Sequence, residues 1–280
     1  MSRPFNSDLV IEEKIAETTF RAYNVGFEEN QFRLKPLVDV ILNVIPEFAL
    51  GNHEGPSISL NEMRNKLREA AITVYTTDKY EKRGEFGEII LHLLLRDFCK
   101  TIPLISKIYF KDAVNVTCHG FDGVHITVDG AIKKLWLGES KLYTNGQAGV
   151  KALAKDLAEH IKADYLRQEF ILISRKLPET TPEIEYWKAL MHRNQKLESI
   201  YNGICIPLVC TYSSDIFSGY SNETDEYIEA FKKECYSLKE LFEEHKISTS
   251  VDVILMLLPV PDKNELSKEL DRGLKRMQSL

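Results

Sequence analysis

The sequence lacks the features of a membrane protein and of a disulfide-stapled secreted domain. Its longest apolar stretch, residues 251–260, contains Asp252 and is far shorter than the roughly 18 apolar residues of a membrane span. No apolar signal core follows Met1. The five cysteines are odd in number and lack Cys-x-x-Cys spacing, so we expect reduced core thiols and no zinc site. These absences predict a cytoplasmic protein without membrane contact.

The sequence also lacks an excess of positive charge, because its 36 Lys and Arg residues are outnumbered by 42 Asp and Glu residues, which gives a net charge of -6. A protein that coats nucleic acid needs a basic surface, so this balance argues against that class. It leaves room for an enzyme with a local basic cleft. Several lysines lie close in sequence to the acidic segment described next, although each could equally belong to a solvated face: Lys133, Lys134, Lys141, Lys151 and Lys155.

Two strand-like segments, residues 120–128 and 134–142, carry acidic groups that a buried core would not favour. Alternation along a strand places Glu139 and Lys141 on one face, next to each other. Asp122 opens the first segment and lies beside Glu139 if the two segments pair as a hairpin. Two carboxylates and an ammonium at one sheet edge would suit a hard cation and a phosphate, as in a metal-dependent nuclease.

The order of elements predicts an α/β fold with a mixed central sheet flanked by helices. Residues 1–75 read as an N-terminal extension, which packs either onto the rest of the chain or onto a partner, and residues 76–280 as the nuclease domain. Within the latter we predict helices at residues 85–100, 146–166, 224–245 and 262–277, and strands at residues 107–111, 121–128, 134–142, 170–174, 204–212 and 251–260.

Hydrolysis of a phosphodiester requires an activated water and a place for negative charge on the leaving oxygen. Mg²⁺ supplies both and prefers oxygen ligands, with Mn²⁺ as an alternative. We predict that Asp122 and Glu139 bind the metal together with the backbone carbonyl of Ser140. Lys141 would orient the water or neutralise the scissile phosphate.

Further candidates lie around this set. Glu85 and Glu88 are one turn apart on the preceding helix, and Glu88, nearer the apolar stripe, is our choice for a fourth catalytic carboxylate. Gln147, at the start of the following helix, either supports the site or caps that helix, and Tyr143 falls on the catalytic face. His125 lies on the strand face opposite Asp122 and is expected to be a core residue.

The order of a helix glutamate, a strand aspartate and a strand Glu-x-Lys resembles the PD-(D/E)xK superfamily, whose members share a restriction-endonuclease-like core. Glu-x-Lys alone carries no weight, since it recurs at Glu12-Lys14 and Glu244-Lys246, on predicted helices. The order of the motifs, rather than any single one, indicates the superfamily.

A closer resemblance lies in three motifs: Arg83 to Glu88, Gly120 to His125, and Leu137 to Lys141. They are similar to motifs of the HamA family, the nuclease subunits of the Hachiman anti-phage defence system. This resemblance covers roughly residues 75–260. It implies a metal-dependent deoxyribonuclease with little sequence preference, restrained by a partner helicase of superfamily 2, HamB. It places the catalytic set on Asp122, Glu139, Lys141 and Glu88.

Two other readings stay open at this point. The chain could be a non-catalytic subunit that keeps the fold and binds nucleic acid or a helicase, although such a subunit would not need Asp122, Glu139 and Lys141 together. It could also cleave RNA, because a metal site of this kind contacts a phosphodiester that is common to both polymers.

Overall fold

A β-sheet lies at the centre of the protein in the computed structural model, which describes residues 5–50, 59–75, 84–106 and 120–280. The strands are β1 (Glu12–Ala16), β2 (Phe20–Asn24), β3 (Phe27–Glu28), β4 (Gln31–Phe32), β5 (Ile102–Ser106), β6 (Gly123–Asp129), β7 (Ile132–Tyr143), β8 (Ile204–Ser213) and β9 (Asp252–Val260). Within the described residues seven of them form one sheet in the order β1-β2-β9-β8-β7-β6-β5, and β3 pairs with β4. Strand β9 is parallel to both β2 and β8, and β8 is also parallel to β7. The pairs β1–β2, β6–β7 and β5–β6 are antiparallel, so the sheet is mixed.

Helices cover both faces of this sheet. They are α1 (Leu34–Asn43), α2 (Ile45–Leu50), α3 (Leu60–Val74), α4 (Glu85–Phe98), α5 (Gly146–His160), α6 (Ala163–Lys176), α7 (Ile184–Leu190), α8 (Asp225–Glu243) and α9 (Lys263–Gln278). One hydrophobic core contains side chains of α1 to α4 and α9, and the other contains side chains of α5 to α8. The predicted mixed sheet flanked by helices is confirmed.

The alternation predicted for β7 explains why the sheet has a core on each face. Leu135 and Leu137 belong to the core beneath α5 to α8, whereas Trp136 belongs to the core on the α4 side. Successive side chains of a strand point to opposite faces, so an apolar strand can fill both cores. The same alternation continues into the polar end of the strand, where the candidate site lies.

The N-terminal residues are part of this architecture. Strand β2 pairs in parallel with β9, with Phe20 opposite Leu255, and β1 pairs with β2 at the edge of the sheet. Tyr23 and the buried side chains of α1 lie in the same core as α4. The sequence left open whether residues 1–75 pack onto the rest of the chain, and their described part does. Strands β1 to β4 were not predicted.

The predicted strand at residues 170–174 is wrong, because this segment lies inside α6. Leu166, Phe170 and Ile173 are buried at helical spacing, whereas Ile171 and Leu172 are 38% and 40% exposed. A short apolar run fits a buried strand and a helix equally well, and only its surroundings decide between them. The predicted helix at residues 146–166 is likewise two helices, α5 and α6.

The other predicted elements of the sheet and its helices correspond to α4, β6, β7, β8, α8, β9 and α9, with small shifts of their ends. The predicted strand at residues 107–111 lies outside the described residues, and β5 immediately precedes that segment. The four described cysteines are free thiols, as expected, and burial raises the pKa of Cys210 to about 12. None of the described helices is both long and apolar enough to cross a bilayer.

Strand β7 is long enough to extend past its neighbour, and this positions the site. Strands β6 and β7 form the predicted hairpin, joined by a turn at Gly130, whose φ of 57° suits glycine. The pairing ends where Gly123 lies opposite Gly138. Beyond that point β7 continues beside β8 as far as Tyr143. The polar residues of β7 therefore emerge where β6 begins.

Candidate active site

Asp122 immediately precedes β6 and is held to β7 through both its backbone and its carboxylate. The Asp122 N–H donates to the carbonyl of Gly138 at 2.8 Å. Its carboxylate oxygen Oδ2 accepts from the N–H of Ser140 at 2.9 Å and from the Ser140 hydroxyl at 2.7 Å. The side chain is buried. The hairpin thus brings Asp122 to Ser140, the residue between Glu139 and Lys141.

Glu139 and Lys141 form an ion pair on the face of β7 that α5 covers. The Lys141 ammonium donates to Glu139 Oε1 at 2.8 Å. The equivalent triplet Glu12-x-Lys14 also makes such a pair, at 2.6 Å, but lies in β1 and not in the helix that we predicted. The two sites differ in burial, since the side chain of Glu139 is 6% exposed and that of Glu12 is 65% exposed. A buried carboxylate at a strand end requires a compensating charge, whereas an exposed one does not.

Helix α5 supplies two residues that sequence reasoning missed. Asp156 Oδ2 lies 2.6 Å from the Lys141 ammonium, and His160 Nδ1 lies 3.7 Å from Glu139 Oε2. The two are one turn apart on the helix, beside the buried Leu153. Their spacing beside the apolar stripe of α5 could have indicated that both side chains lie near the sheet. Only the packing of α5 on β7 shows which strand residues they contact.

The charge state of Lys141 follows from these contacts. Burial alone would lower the pKa of its ammonium, but the nearby carboxylates of Glu139 and Asp156 outweigh that effect. The pKa of Lys141 is therefore raised well above its ordinary value. At neutral pH the site holds a fixed positive charge beside the buried carboxylate of Glu139.

A further buried carboxylate, that of Glu169, supports the residues that immediately precede Asp122. Glu169 of α6 accepts a hydrogen bond from the N–H of Phe121 at 3.4 Å. The preceding Gly120 has a φ of 138°, and an added Cβ there would lie 2.9 Å from Glu169 Oε2. The ring of Phe121 also packs edge-on against His160, with ring centroids 4.9 Å apart. We missed Glu169 because the segment that follows it was predicted as a strand.

The first turn of α4 contacts the opposite face of β7. An added Cβ at Gly87 would lie 3.2 Å from the hydroxyl of Ser140, so the helix backbone approaches the strand closely there. Glu88 is buried in this turn and Glu85 is half-buried. The burial of Glu88 agrees with our choice between the two, although its role in metal binding stays a prediction.

The remaining candidates lie at the rim or in the core. Tyr143 ends β7 and is partly exposed, and Gln147 is exposed in the first turn of α5. The capping side chain of that helix is Asn145, which accepts from the N–H of Ala148 at 2.8 Å, so capping does not account for Gln147. His125 is buried, with Nδ1 2.7 Å from the hydroxyl of Thr101, and is the expected core histidine.

Comparison with known families identifies the family of this chain. A family profile described as HamA matches residues 3–274 of the 280. This chain belongs to the HamA family. It is therefore a protein associated with Hachiman anti-phage defence. A search of curated proteins finds no match to it.

The oxygen donors of this HamA-family chain fit a hard divalent cation. Asp122 and Glu139 are both buried, and Ser140, the residue after Glu139, donates two hydrogen bonds to the Asp122 carboxylate. Among the described residues no three His, Cys, Asp or Glu side chains form a metal-binding cluster. The two carboxylates and the Ser140 carbonyl are oxygen donors of the kind that Mg²⁺ prefers, with water completing its coordination.

Proposed function

We propose that this HamA-family chain is a metal-dependent nuclease that cleaves DNA as the effector of a Hachiman defence complex. One observation carries the proposal: the buried carboxylate of Asp122 is bound to Ser140, which lies in sequence between Glu139 and Lys141, and these two form an ion pair that is largely shielded from water. A surface ion pair would not need this burial, and a purely structural core would not favour the charges.

The chemistry assigned to each group follows from its charge. Asp122 and Glu139, with the carbonyl of Ser140, would hold Mg²⁺ or Mn²⁺, which supplies Lewis-acid stabilisation of the phosphate when bound. Lys141 keeps its proton, because its pKa is raised, and so places a positive charge where negative charge develops on the phosphate. Glu88 is the proposed fourth catalytic group, and Glu85, Gln147 and Tyr143 are proposed to support or line the cleft.

The substrate is proposed to be DNA, with little sequence preference. The net charge of -6 restricts any phosphate-binding surface to a local region, such as the lysines near α5. Lys151 and Lys155 lie on that helix, which packs against the Glu139 and Lys141 face. We propose that restraint comes from a superfamily 2 helicase resembling HamB, because nothing in these residues suggests base-specific readout that would protect host DNA.

The proposal is tested with purified chain, supercoiled plasmid and Mg²⁺ or Mn²⁺, with and without chelator. The expected result is metal-dependent nicking and linearisation that is lost in Glu139→Ala. A single-stranded RNA of matched length is the second substrate. Cleavage of RNA but not DNA would favour the RNA-cleaving alternative. A chain that binds a helicase but cuts neither polymer, with the helicase present or absent, would favour a non-catalytic subunit.

A further inference from the structure

The ion pair of the candidate site has a third member on α5. The Lys141 ammonium lies between two carboxylates, 2.8 Å from Glu139 Oε1 and 2.6 Å from Asp156 Oδ2. The side chain of Lys141 is 19% exposed and that of Asp156 is 32% exposed, so water screens this arrangement only partly. Asp156 has no place in the predicted catalytic set.

The position of Asp156 is set by the packing of its helix. An added Cβ at Gly149 would lie 2.4 Å from the Sγ of Cys210, so α5 lies in close contact with β8. Val150, Leu153 and Leu157 are buried in the core beneath it. A helix held this closely gives the Asp156 carboxylate a defined place relative to β7.

We propose that Asp156 is a positioning residue, which holds the Lys141 ammonium so that Lys141 is shared between two carboxylates and does not pair with Glu139 alone. The inference rests on the proposed nuclease function of the same site. It adds a group that does not itself touch the metal or the substrate but determines how Lys141 and Glu139 are arranged.

The first consequence concerns metal affinity. A lysine and a divalent cation compete for the same carboxylate, because each neutralises its charge. Without the charge of Asp156, Lys141 would pair more strongly with Glu139, and the site would also lose one negative charge. Both effects weaken binding of a cation to Glu139, so they act in the same direction.

The second consequence concerns the reaction itself. When a cation neutralises Glu139, Lys141 loses part of its attraction to that residue, and Asp156 remains as the carboxylate that holds it. A flexible four-carbon side chain has many conformers, and anchoring its ammonium keeps the charge in place for the phosphate. Loss of Asp156 should therefore lower the maximal cleavage rate even when metal is saturating.

A purely structural role makes a different prediction. If Asp156 only helps to dock α5, then removing its charge should lower stability slightly, and its effect should not depend on Lys141. Glu159 provides a matched control, since it lies on the same helix and pairs with the exposed Lys162 at 2.6 Å. Glu159→Gln makes the same change in charge and leaves the site untouched.

The experiment compares Asp156→Asn, Asp156→Glu and Glu159→Gln in the full chain. Binding of Mn²⁺ is measured by calorimetry without DNA, and plasmid cleavage is measured at saturating Mn²⁺. For Asp156→Asn we expect losses of about 10-fold or more in both affinity and maximal rate, the size typical of residues that orient metal ligands. Asp156→Glu should recover most of both, and Glu159→Gln should stay within about twofold of wild type.

A second variant, Lys141→Met, shows whether Asp156 acts through Lys141 or through the stability of the fold. On Lys141→Met, the added change Asp156→Asn should alter the residual cleavage rate by no more than about twofold, because the two residues act as a unit. Asp156→Asn that binds Mn²⁺ and cuts DNA as well as Glu159→Gln overturns the inference and leaves the nuclease function standing. A wild-type chain that neither binds Mn²⁺ nor cuts DNA overturns both.

Discussion

Ser140 holds the carboxylate of Asp122 by two hydrogen bonds, from its N–H at 2.9 Å and its hydroxyl at 2.7 Å. Both donors meet the same oxygen, Oδ2. The N–H belongs to the backbone of β7 just beyond its last pair with β6, Gly138 opposite Gly123, and the hydroxyl lies against the first turn of α4 at Gly87. The backbone of β7 and a side chain packed against α4 thus both fix the direction of this carboxylate.

Ser140→Ala should weaken metal binding and cleavage by about 10-fold, because it removes one of two bonds that orient Asp122. The free energy of unfolding should fall by only about 0.5–1.5 kcal/mol, the usual contribution of one hydrogen bond. Calorimetric titration with Mn²⁺ and urea unfolding measure the two effects. Ser174→Ala, which removes an exposed hydroxyl on α6, is the control and should change neither. Equal effects of the two substitutions would contradict the assigned role of Ser140.

Glu139→Ala and Lys141→Ala should each reduce cleavage by roughly two orders of magnitude or more while the chain stays folded. The first removes a proposed metal ligand, and the second removes a positive charge near the scissile phosphate. Glu12→Ala, which removes the exposed carboxylate of the Glu-x-Lys triplet in β1, is the matched control and should cut at the wild-type rate. The measurement is plasmid cleavage at saturating Mg²⁺, with circular dichroism to confirm folding. Wild-type activity in either site variant would reject the assignment.

Asp122→Asn should reduce cleavage more than Asp129→Asn does. Asp122 immediately precedes β6, and Asp129 is the last residue of that strand. The Asp122 carboxylate is bound to Ser140, between Glu139 and Lys141 in sequence, whereas Asp129 lies at the turn, opposite Ile132. Asp122→Asn should therefore lower metal affinity and activity together. A cleavage assay at graded Mn²⁺ concentrations checks this. A larger loss of cleavage in Asp129→Asn would contradict the assignment of Asp122 to the metal site.

The sequence was sufficient to predict the hairpin and its polar end because both depend on local alternation. The apolar side chains of β7 alternate between two cores, and the same period places Glu139 and Lys141 together. The turn between the two strands lies at Asp129-Gly130, an Asp-Gly pair typical of hairpin turns. Local pattern was therefore enough to bring Asp122 to the segment of β7 that carries Glu139 and Lys141.

Contacts between distant elements could not be predicted in this way. Asp156 and His160 meet the site only because α5 packs on β7 and β8, and that packing is a property of the whole sheet. Glu169 was hidden for a related reason, since it precedes an apolar run that resembles a strand but is helical. Strand β1 was missed because three of its five residues are charged, as suits a strand at the sheet edge, and β2 was missed because its five residues do not alternate regularly between polar and apolar.

Gly149→Ala should destabilise the chain by about 1–3 kcal/mol, because the added methyl group would overlap the Sγ of Cys210 in a packed core. It should also reduce cleavage, since relief of the overlap moves α5 and with it Asp156. Gly219→Ala is the control, because the nearest atom to its Cβ is the carbonyl of Ile216 at 3.8 Å. Denaturant unfolding and plasmid cleavage are measured on both variants. Unchanged stability in Gly149→Ala would show that the helix can shift without cost.

Residues 1–75 are our candidate for the contact with the proposed helicase partner. Their described part packs on the sheet, and α3 presents two large exposed apolar side chains, Met63 and Ile72, which are 43% and 40% exposed. Exposed apolar residues of this size are suited to a protein interface. We therefore expect Met63→Glu and Ile72→Glu to weaken co-purification with the helicase. Ile171→Glu on α6, at 38% exposure, is the matched control.

Helicase binding should restrain cleavage, because an unrestrained nuclease without base-specific readout would attack host DNA. We expect the complex to cut plasmid slowly, and the α3 variants to cut faster than wild type in the presence of helicase. Cleavage assays with and without ATP show whether the restraint depends on nucleotide. Variants that lose helicase binding but not restraint would place the contact elsewhere. A wild-type chain that forms no complex and degrades host DNA unchecked would reject partner control altogether.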